Sequence, residues 1–456
     1  MTISEYLASL KHKRVAVIGI GVSNTPLIRM LLQEGIDVTA CDKSNRDALG
    51  VIADELECLG AHLQLGENYL DGLEHDVIFR TPGLRPDVPA LEAARVCGAE
   101  ITSEMEVFFR VCPCKIIAVT GSDGKTTTTT IISEILKAAG YNVYVGGNIG
   151  KPLLSDVAGM NQDDIVVLEL SSFQLMTMKQ SPDIAVVTNV SPNHLDVHKS
   201  MSEYIAAKEN IFAYQSSAGI AVFNHDNDIT REFAGRVAGT SICFSRLENL
   251  ENGVCIRENS IWYQDREVLP LEDILIPGVH NVENYMAAIA AVNGLVDDDV
   301  IRKVAKTFGG VEHRIELVRT LNGVRYYNDS IASSPTRTIA GLRSFKEKVI
   351  LIAGGYDKKI PFDELGPEII ERVKCIVLTG ATAAKIRTAI ESSPRFAESG
   401  LQIYEQDDFT EAVLAAHRAA QPGDVVILSP ACASFDKFKN FMLRGEAFKK
   451  IVYELG

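Results

Sequence analysis

The sequence predicts an α/β protein built from parallel sheets in three successive units. Three observations carry this. Apolar β-branched runs alternate with amphipathic helical stretches almost throughout. A strand–glycine–helix start occurs three times, at Gly19, Gly121 and Gly354. The length of 456 residues fits about three domains at ~150 residues each.

In chain order, strands are expected at residues 14–18, 76–79, 116–119, 165–170, 185–190, 349–353, 375–378 and 425–428. Helical periodicity marks residues 26–33, 126–139, 202–212, 282–292 and 410–420. A proline-bearing break at 110–114 precedes a fresh strand, and Gly309-Gly310 follows a helix-like stretch. The expected domains are therefore 1–111, 112–310 and 311–456. The turn-rich stretch 224–273 reads as an antiparallel edge of the middle unit, with Glu251-Asn252-Gly253 as a hairpin signal.

Composition excludes several classes. A net charge of −15 argues against a chain that tracks a nucleic-acid backbone. It leaves room for a local phosphate site made from backbone N–H groups. No apolar run approaches the ~20 residues of a membrane-spanning helix. The start, Met1 to Tyr6, lacks a secretory signal. Cys112-Pro113-Cys114 is the only close cysteine spacing and does not match a zinc site. A cytoplasmic protein with reduced thiols is expected.

The sharpest motif follows the strand at 116–119. Gly121-Ser122-Asp123-Gly124-Lys125-Thr126-Thr127 leads directly into a helix. Glycines let the loop curl its N–H groups around phosphate oxygens, and the helix N-terminus adds partial positive charge. Lys125 is placed to reach terminal phosphates, and the Thr126 hydroxyl to ligate magnesium. ATP or GTP binding is expected; a glycine turn with a surface lysine is the bland reading.

The first glycine start, Gly19-Ile20-Gly21-Val22-Ser23-Asn24, is close to GxGxxG, with Asp42 at the end of the next strand-like run. Bound NAD, a nucleotide diphosphate, or a turn with no ligand all fit it. Downstream, Glu169 ends a buried strand, where a carboxylate beside a phosphate loop is placed to hold magnesium. His194 and Asp196 follow the next strand in the equivalent position. Lys208, on a helix, reads by itself as a surface lysine.

Together, Thr120–Thr127, Glu169, Asn189–Asp196 and Tyr204–Lys208 resemble the Mur ligase superfamily. The resemblance continues through Gly278–Asn284, Glu312-His313-Arg314, Asn328-Asp329-Ser330, Gly354–Lys358 and Leu428–Asp436. It covers essentially the whole chain. The last segment is closest to the branch of the family that adds D-glutamate.

The resemblance implies a Rossmann-like N-terminal domain for the UDP part of a sugar substrate. It implies a central P-loop-type domain with a parallel sheet for ATP and magnesium, and a Rossmann-like C-terminal domain for the amino acid. The implied reaction joins D-glutamate to UDP-N-acetylmuramoyl-L-alanine through an acyl phosphate, in a cytoplasmic monomer. Lys125, Glu169, His194 and Lys208 would be catalytic. Two magnesium ions would be held by Thr126, Glu169, His194 and a carbamylated Lys208. Nucleotide contacts would come from Gly121 to Thr127, Asn281, Asn284, Arg314 and Asp329, with His313 beside them. Val22, Ser23, Asp42, Asn148 and Ser171 match contacts to the UDP-sugar or its alanyl arm. Lys358, Ser434 and Phe441 match the D-glutamate pocket. One departure stands out: Ile331 occupies the position where the family commonly has lysine, and Arg337, on the next helix, is the candidate cation to reach in there.

Two rival readings remain within reach of the sequence. One is a sister ligase or a folylpolyglutamate synthase using another amino acid. The other is a nucleotide-binding switch without catalysis.

Overall fold

The computed structural model describes residues 1–194 and 197–456, so Asp196 lies outside the described residues. Two compact units are present. One comprises Met1–Leu271 with Glu283–Val304, the other Glu272–Val282 with Ala305–Gly456.

The first unit contains two sheets. One is wholly parallel, built from β1 (Val15–Ile18), β2 (Val38–Asp42), β3 (His62–Leu65), β4 (Val77–Arg80) and β5 (Glu100–Thr102). Its order, β3-β2-β1-β4-β5, is that of a doubly wound sheet, with a crevice where the chain direction of winding changes. Side chains alternate between its faces. Val15, Val17, Val77 and Phe79 join one apolar cluster, while Ala16, Ile18 and Ile78 join another. Both faces are covered, as a parallel sheet requires.

The second sheet holds β6 (Lys115–Thr120), β7 (Val143–Gly147), β8 (Ile165–Glu169), β9 (Ile184–Val187), β10 (Ile220–Asn224), β11 (Thr240–Ser245), β12 (Gly253–Arg257), β13 (Ser260–Tyr263) and β14 (Arg266–Pro270). The order is β14-β13-β12-β11-β10-β9-β6-β8-β7. Strand β6 lies between β8 and β9, so the loop after it opens between two neighbouring strand ends. Only the far edge, β12 to β14, is antiparallel.

The expected hairpin at Glu251-Asn252-Gly253 does not form, because β11 and β12 pair in parallel. Gly253 serves close strand approach instead: a Cβ there would stand 2.3 Å from the Cys243 carbonyl oxygen. The hairpin turn is Glu258-Asn259, closed by the Arg257–Ser260 pair, with φ of 47° and 62°. Both central residues take the left-handed conformation that a tight two-residue hairpin needs.

The sheet of the second unit joins β15 (Glu316–Leu321), β16 (Val324–Asn328), β17 (Val349–Ala353), β18 (Val373–Leu378), β19 (Gln402–Glu405) and β20 (Val425–Leu428). Its order is β15-β16-β20-β17-β18-β19, parallel except for β15. Leu351, Ile376 and Ile427 face one core; Ile350, Ile352, Val377 and Val426 face the other. No helix among the described residues is long and apolar enough to cross a membrane.

Candidate active site

The loop after β6 is a tight cradle leading into helix Lys125–Ala138. Gly121 and Gly124 have φ of 151° and 79°. A Cβ at Gly121 would lie 2.0 Å from Thr188 Oγ1, and one at Gly124 2.5 Å from Asn284 Oδ1. Both positions therefore exclude any side chain. The segment after β9 clamps the loop from beside. Ser122 N donates to the Asn189 carbonyl at 2.9 Å, and Asp123 N to Asn189 Oδ1 at 2.9 Å. Thr188 Oγ1 donates to the Asp123 carbonyl at 2.5 Å. The Ser122 hydroxyl is engaged with Ser191 and with Tyr204 OH, so its role here is to hold the loop. Asn284 backs the loop by accepting from Thr128 Oγ1 at 3.2 Å.

Glu169 ends β8 and is buried. Its Oε2 accepts from Thr126 Oγ1 at 2.7 Å, and its Oε1 accepts from Asn148 Nδ2 at 2.7 Å. The structure thus brings together the two expected magnesium residues of the phosphate loop. It places Asn148 on the carboxylate, where sequence reasoning expected a sugar contact. Backbone pairing fixes this: Asn148 N donates to the Glu169 carbonyl at 2.7 Å. Ser171, also expected near the sugar, forms a capping box with Gln174 at the start of the short helix Ser172–Leu175.

Lys208 is not a surface residue. It is 1% exposed, on helix Met201–Glu209, beneath the phosphate loop. The apolar body of Tyr204 lies against it, with Nζ 4.7 Å from the ring centroid. Nζ donates to the Gly121 carbonyl at 2.7 Å. Burial, then the nearby Lys125 charge, lowers its pKa to about 7. Lys125 Nζ folds back onto the Gly121 and Ser122 carbonyls at 2.9 Å each.

His194 is exposed, adopts φ of 54°, and meets the Phe173 ring edge-on at 5.2 Å. Sequence reasoning missed its neighbour His198, which is buried between Phe173 and Tyr204 and pairs through Nε2 with Ser172 Oγ at 2.9 Å. It also missed Arg85, which grips Glu203 and Asp87 and donates to the Val197 carbonyl at 2.7 Å. That network holds the chain on either side of Lys199, and no local motif announces it.

At the first sheet, Ser23 precedes helix Asn24–Gln33 and Val22 is 80% exposed beside it. Asp42 Oδ2 accepts from Ile20 N of this turn at 2.7 Å, and its Oδ1 accepts from Ser44 N, just beyond β2, at 2.7 Å. Gly19 is required: a Cβ would come within 2.9 Å of Thr81.

In the second unit, Asp329 is buried and accepts from Ser429 Oγ at 2.7 Å. Burial raises its pKa to about 7. Val311 and Arg314 form a bridge closing a turn through Glu312 and His313, with His313 at φ of 64° and its ring edge-on to Phe441 at 5.9 Å. Arg337 donates to the carbonyl of Ile331 at 3.3 Å. Asn281 is buried and donates to the Pro277 carbonyl at 2.6 Å. Ser434 is buried just beyond β20, and Lys358 Nζ lies 3.5 Å from the Ser333 carbonyl.

A glycine loop opening helix Lys125–Ala138 from a parallel sheet, backed by a buried carboxylate, is the architecture of a P-loop-type nucleotide-binding α/β protein. The Mur ligase middle domain matches residues 119–292, and the Mur ligase glutamate ligase domain matches residues 313–432. The chain is 57% identical to the UDP-N-acetylmuramoylalanine–D-glutamate ligase of Acetivibrio thermocellus, over 99% of this chain and 98% of that one. It is 52% identical to the ligase of the same name from Clostridium novyi, over 100% and 99%. In fold it is similar to the UDP-N-acetylmuramate–alanine ligase of Thermotoga maritima, at 18% identity and a TM-score of 0.57, covering 97% of this chain and 100% of that one. The chain belongs to the Mur ligase family and, within it, to the UDP-N-acetylmuramoylalanine–D-glutamate ligases.

Proposed function

We propose that the chain joins the amine of D-glutamate to the alanyl carboxylate of UDP-N-acetylmuramoyl-L-alanine, consuming ATP and forming ADP and phosphate. It is an ATP-dependent acid–amino-acid ligase of peptidoglycan synthesis. The observation that carries the chemistry is Glu169, a buried carboxylate holding the Thr126 hydroxyl of a loop that admits only glycine at residues 121 and 124.

The residues fit magnesium and ATP. Gly121 and Gly124 let the loop curl tightly against Thr188 and Asn284, at φ of 151° and 79°, the kind of backbone whose N–H groups can turn toward phosphate oxygens. Thr126 and Glu169 would hold one ion. Among the described residues no three His, Cys, Asp or Glu side chains converge on one point. By the resemblance to the family, a second ion would draw on His194 and an anionic Lys208 carbamate. Burial supports that reading of Lys208, because only a neutral amine adds to carbon dioxide. Bound magnesium would screen the approach of a carboxylate to a triphosphate.

In the first step an alanyl carboxylate oxygen attacks the γ-phosphorus, and the bond to the β–γ bridging oxygen breaks. Lys125, the first residue of its helix, is the proposed cation for the charge that moves, its Nζ exchanging the Gly121 and Ser122 carbonyls for phosphate oxygens. In the second step the D-glutamate amine attacks the acyl carbon, loses a proton, and phosphate leaves as the acyl C–O bond breaks. Lys358, Ser434 and Phe441 are the proposed amino-acid contacts. Asn281, Asn284, Arg314 and Asp329 are proposed on the nucleotide side. Val22, Ser23 and Asp42 are the proposed contacts to the UDP end, and Asn148 and Ser171 to the alanyl arm. The three sheets support a division into domains at 1–111, 112–310 and 311–456, and the chain is taken to act as a cytoplasmic monomer.

Transfer of a heavy-oxygen label tests the acyl phosphate. Label placed in the alanyl carboxylate should appear in released phosphate. Label retained wholly in the product would contradict the first step.

A further inference from the structure

Arg444 is 3% exposed, in helix Phe441–Glu454, and among the described residues none of its hydrogen bonds goes to a carboxylate. Nε donates to Ser330 Oγ at 3.1 Å and Nη2 to the Ser330 carbonyl at 2.9 Å. Nη2 also donates to the Cys432 carbonyl at 3.0 Å, and Nη1 to the Ala433 carbonyl at 3.1 Å. Asp436 contributes a favourable field, but its Oδ2 accepts from Ala381 N instead. A buried guanidinium without an ion pair is costly, so these four contacts need a reason.

The segments it touches supply one. Ala433 precedes Ser434. The Ala433 carbonyl also accepts from Tyr356 N at 2.9 Å, at the start of the Lys358 loop. Gly355 presses against the same group: a Cβ there would stand 3.2 Å from Nη1. Ser330 Oγ donates to the Phe441 carbonyl at 2.7 Å. One planar five-donor group thus touches the chain beside Ser434, Lys358 and Phe441.

We infer that Arg444 is a positioning residue for amino-acid selection, setting the relative places of Ser434, the Lys358 loop and the first turn of the Phe441 helix. The inference rests on the proposed D-glutamate reading of that pocket. Lysine in its place would reach fewer acceptors and lacks the planar fork.

The test is steady-state kinetics of Arg444→Lys with each substrate varied in turn. KM for D-glutamate should rise about tenfold or more, with KM for ATP and for the sugar nucleotide within about twofold. Guanidinium ion added to Arg444→Ala should lower KM for D-glutamate again. An unchanged KM for D-glutamate, or an equal rise for all three substrates, overturns the inference. Should Arg444→Lys not fold, Ser330→Ala removes the Nε acceptor and the Phe441 link, and is read by the same criterion. Wild-type protein that does not use D-glutamate strikes the underlying function instead.

Discussion

Lys125 and Lys208 donate to the same acceptor, the carbonyl oxygen of Gly121, at 2.9 and 2.7 Å. Two ammonium groups on one oxygen repel, and the buried one yields its proton more readily. This is the environment in which Lys208 would carry a carbamate. Lys208→Ala should lose activity and regain part of it with added short carboxylates. Lys208→Arg should be inactive, because it supplies no anionic ligand. Assays of both variants check this; a fully active Lys208→Arg would remove the carbamate from the mechanism.

Asn148 orients Glu169, the buried carboxylate that holds the Thr126 hydroxyl. Asn148→Ala frees one Glu169 oxygen from its donor, and residues supporting a metal ligand typically matter about tenfold or more. The magnesium concentration for half-maximal activity should rise by about that factor. A titration of activity against magnesium reads it.

Gly124→Ala places a methyl group where Asn284 Oδ1 stands, 2.5 Å away, at a φ of 79°. Asn284 must swing off the loop, or the loop shift, and the left-handed backbone strains any side chain, so nucleotide binding should weaken sharply while binding of the UDP-sugar persists. Calorimetry with each ligand separates the two.

Glu104 is buried and accepts from Leu154 N at 3.0 Å. Burial raises its pKa from 4.5 to about 7. The folded state then holds this proton more tightly than the unfolded chain. Its contribution to stability is present below pH 4.5 and is lost as pH rises through about 7. The full loss is of order 3 kcal/mol. Glu104→Gln cannot ionise, so its melting temperature should gain on wild type as pH rises from acid to pH 8. A constant difference across that range would count against the buried, protonated carboxyl.

Much of this was legible in the residues. The phosphate loop, the carboxylate ending β8 and the strand–helix alternation are local patterns, and each appears where its pattern lies. What sequence hid is of two kinds. Edge strands such as β3, His-Leu-Gln-Leu, and β19, Gln-Ile-Tyr-Glu, bury too little to need continuous apolar runs. Tertiary partners are the other kind. Lys208 reads as solvent-facing because its helix has no clear apolar stripe; only the loop above it makes the site buried. Likewise Arg444 and Arg85 carry no motif, since Ser330 for the one, and Val197 and Glu203 for the other, lie more than a hundred residues away.

The central claim is ATP-driven joining of D-glutamate to the sugar nucleotide. Its most direct measurement is phosphate release from ATP and magnesium with UDP-N-acetylmuramoyl-L-alanine, comparing D-glutamate, L-glutamate and no amino acid. Sustained release should require the sugar nucleotide and D-glutamate together. Equal release with L-glutamate, or without the sugar nucleotide, would contradict the account.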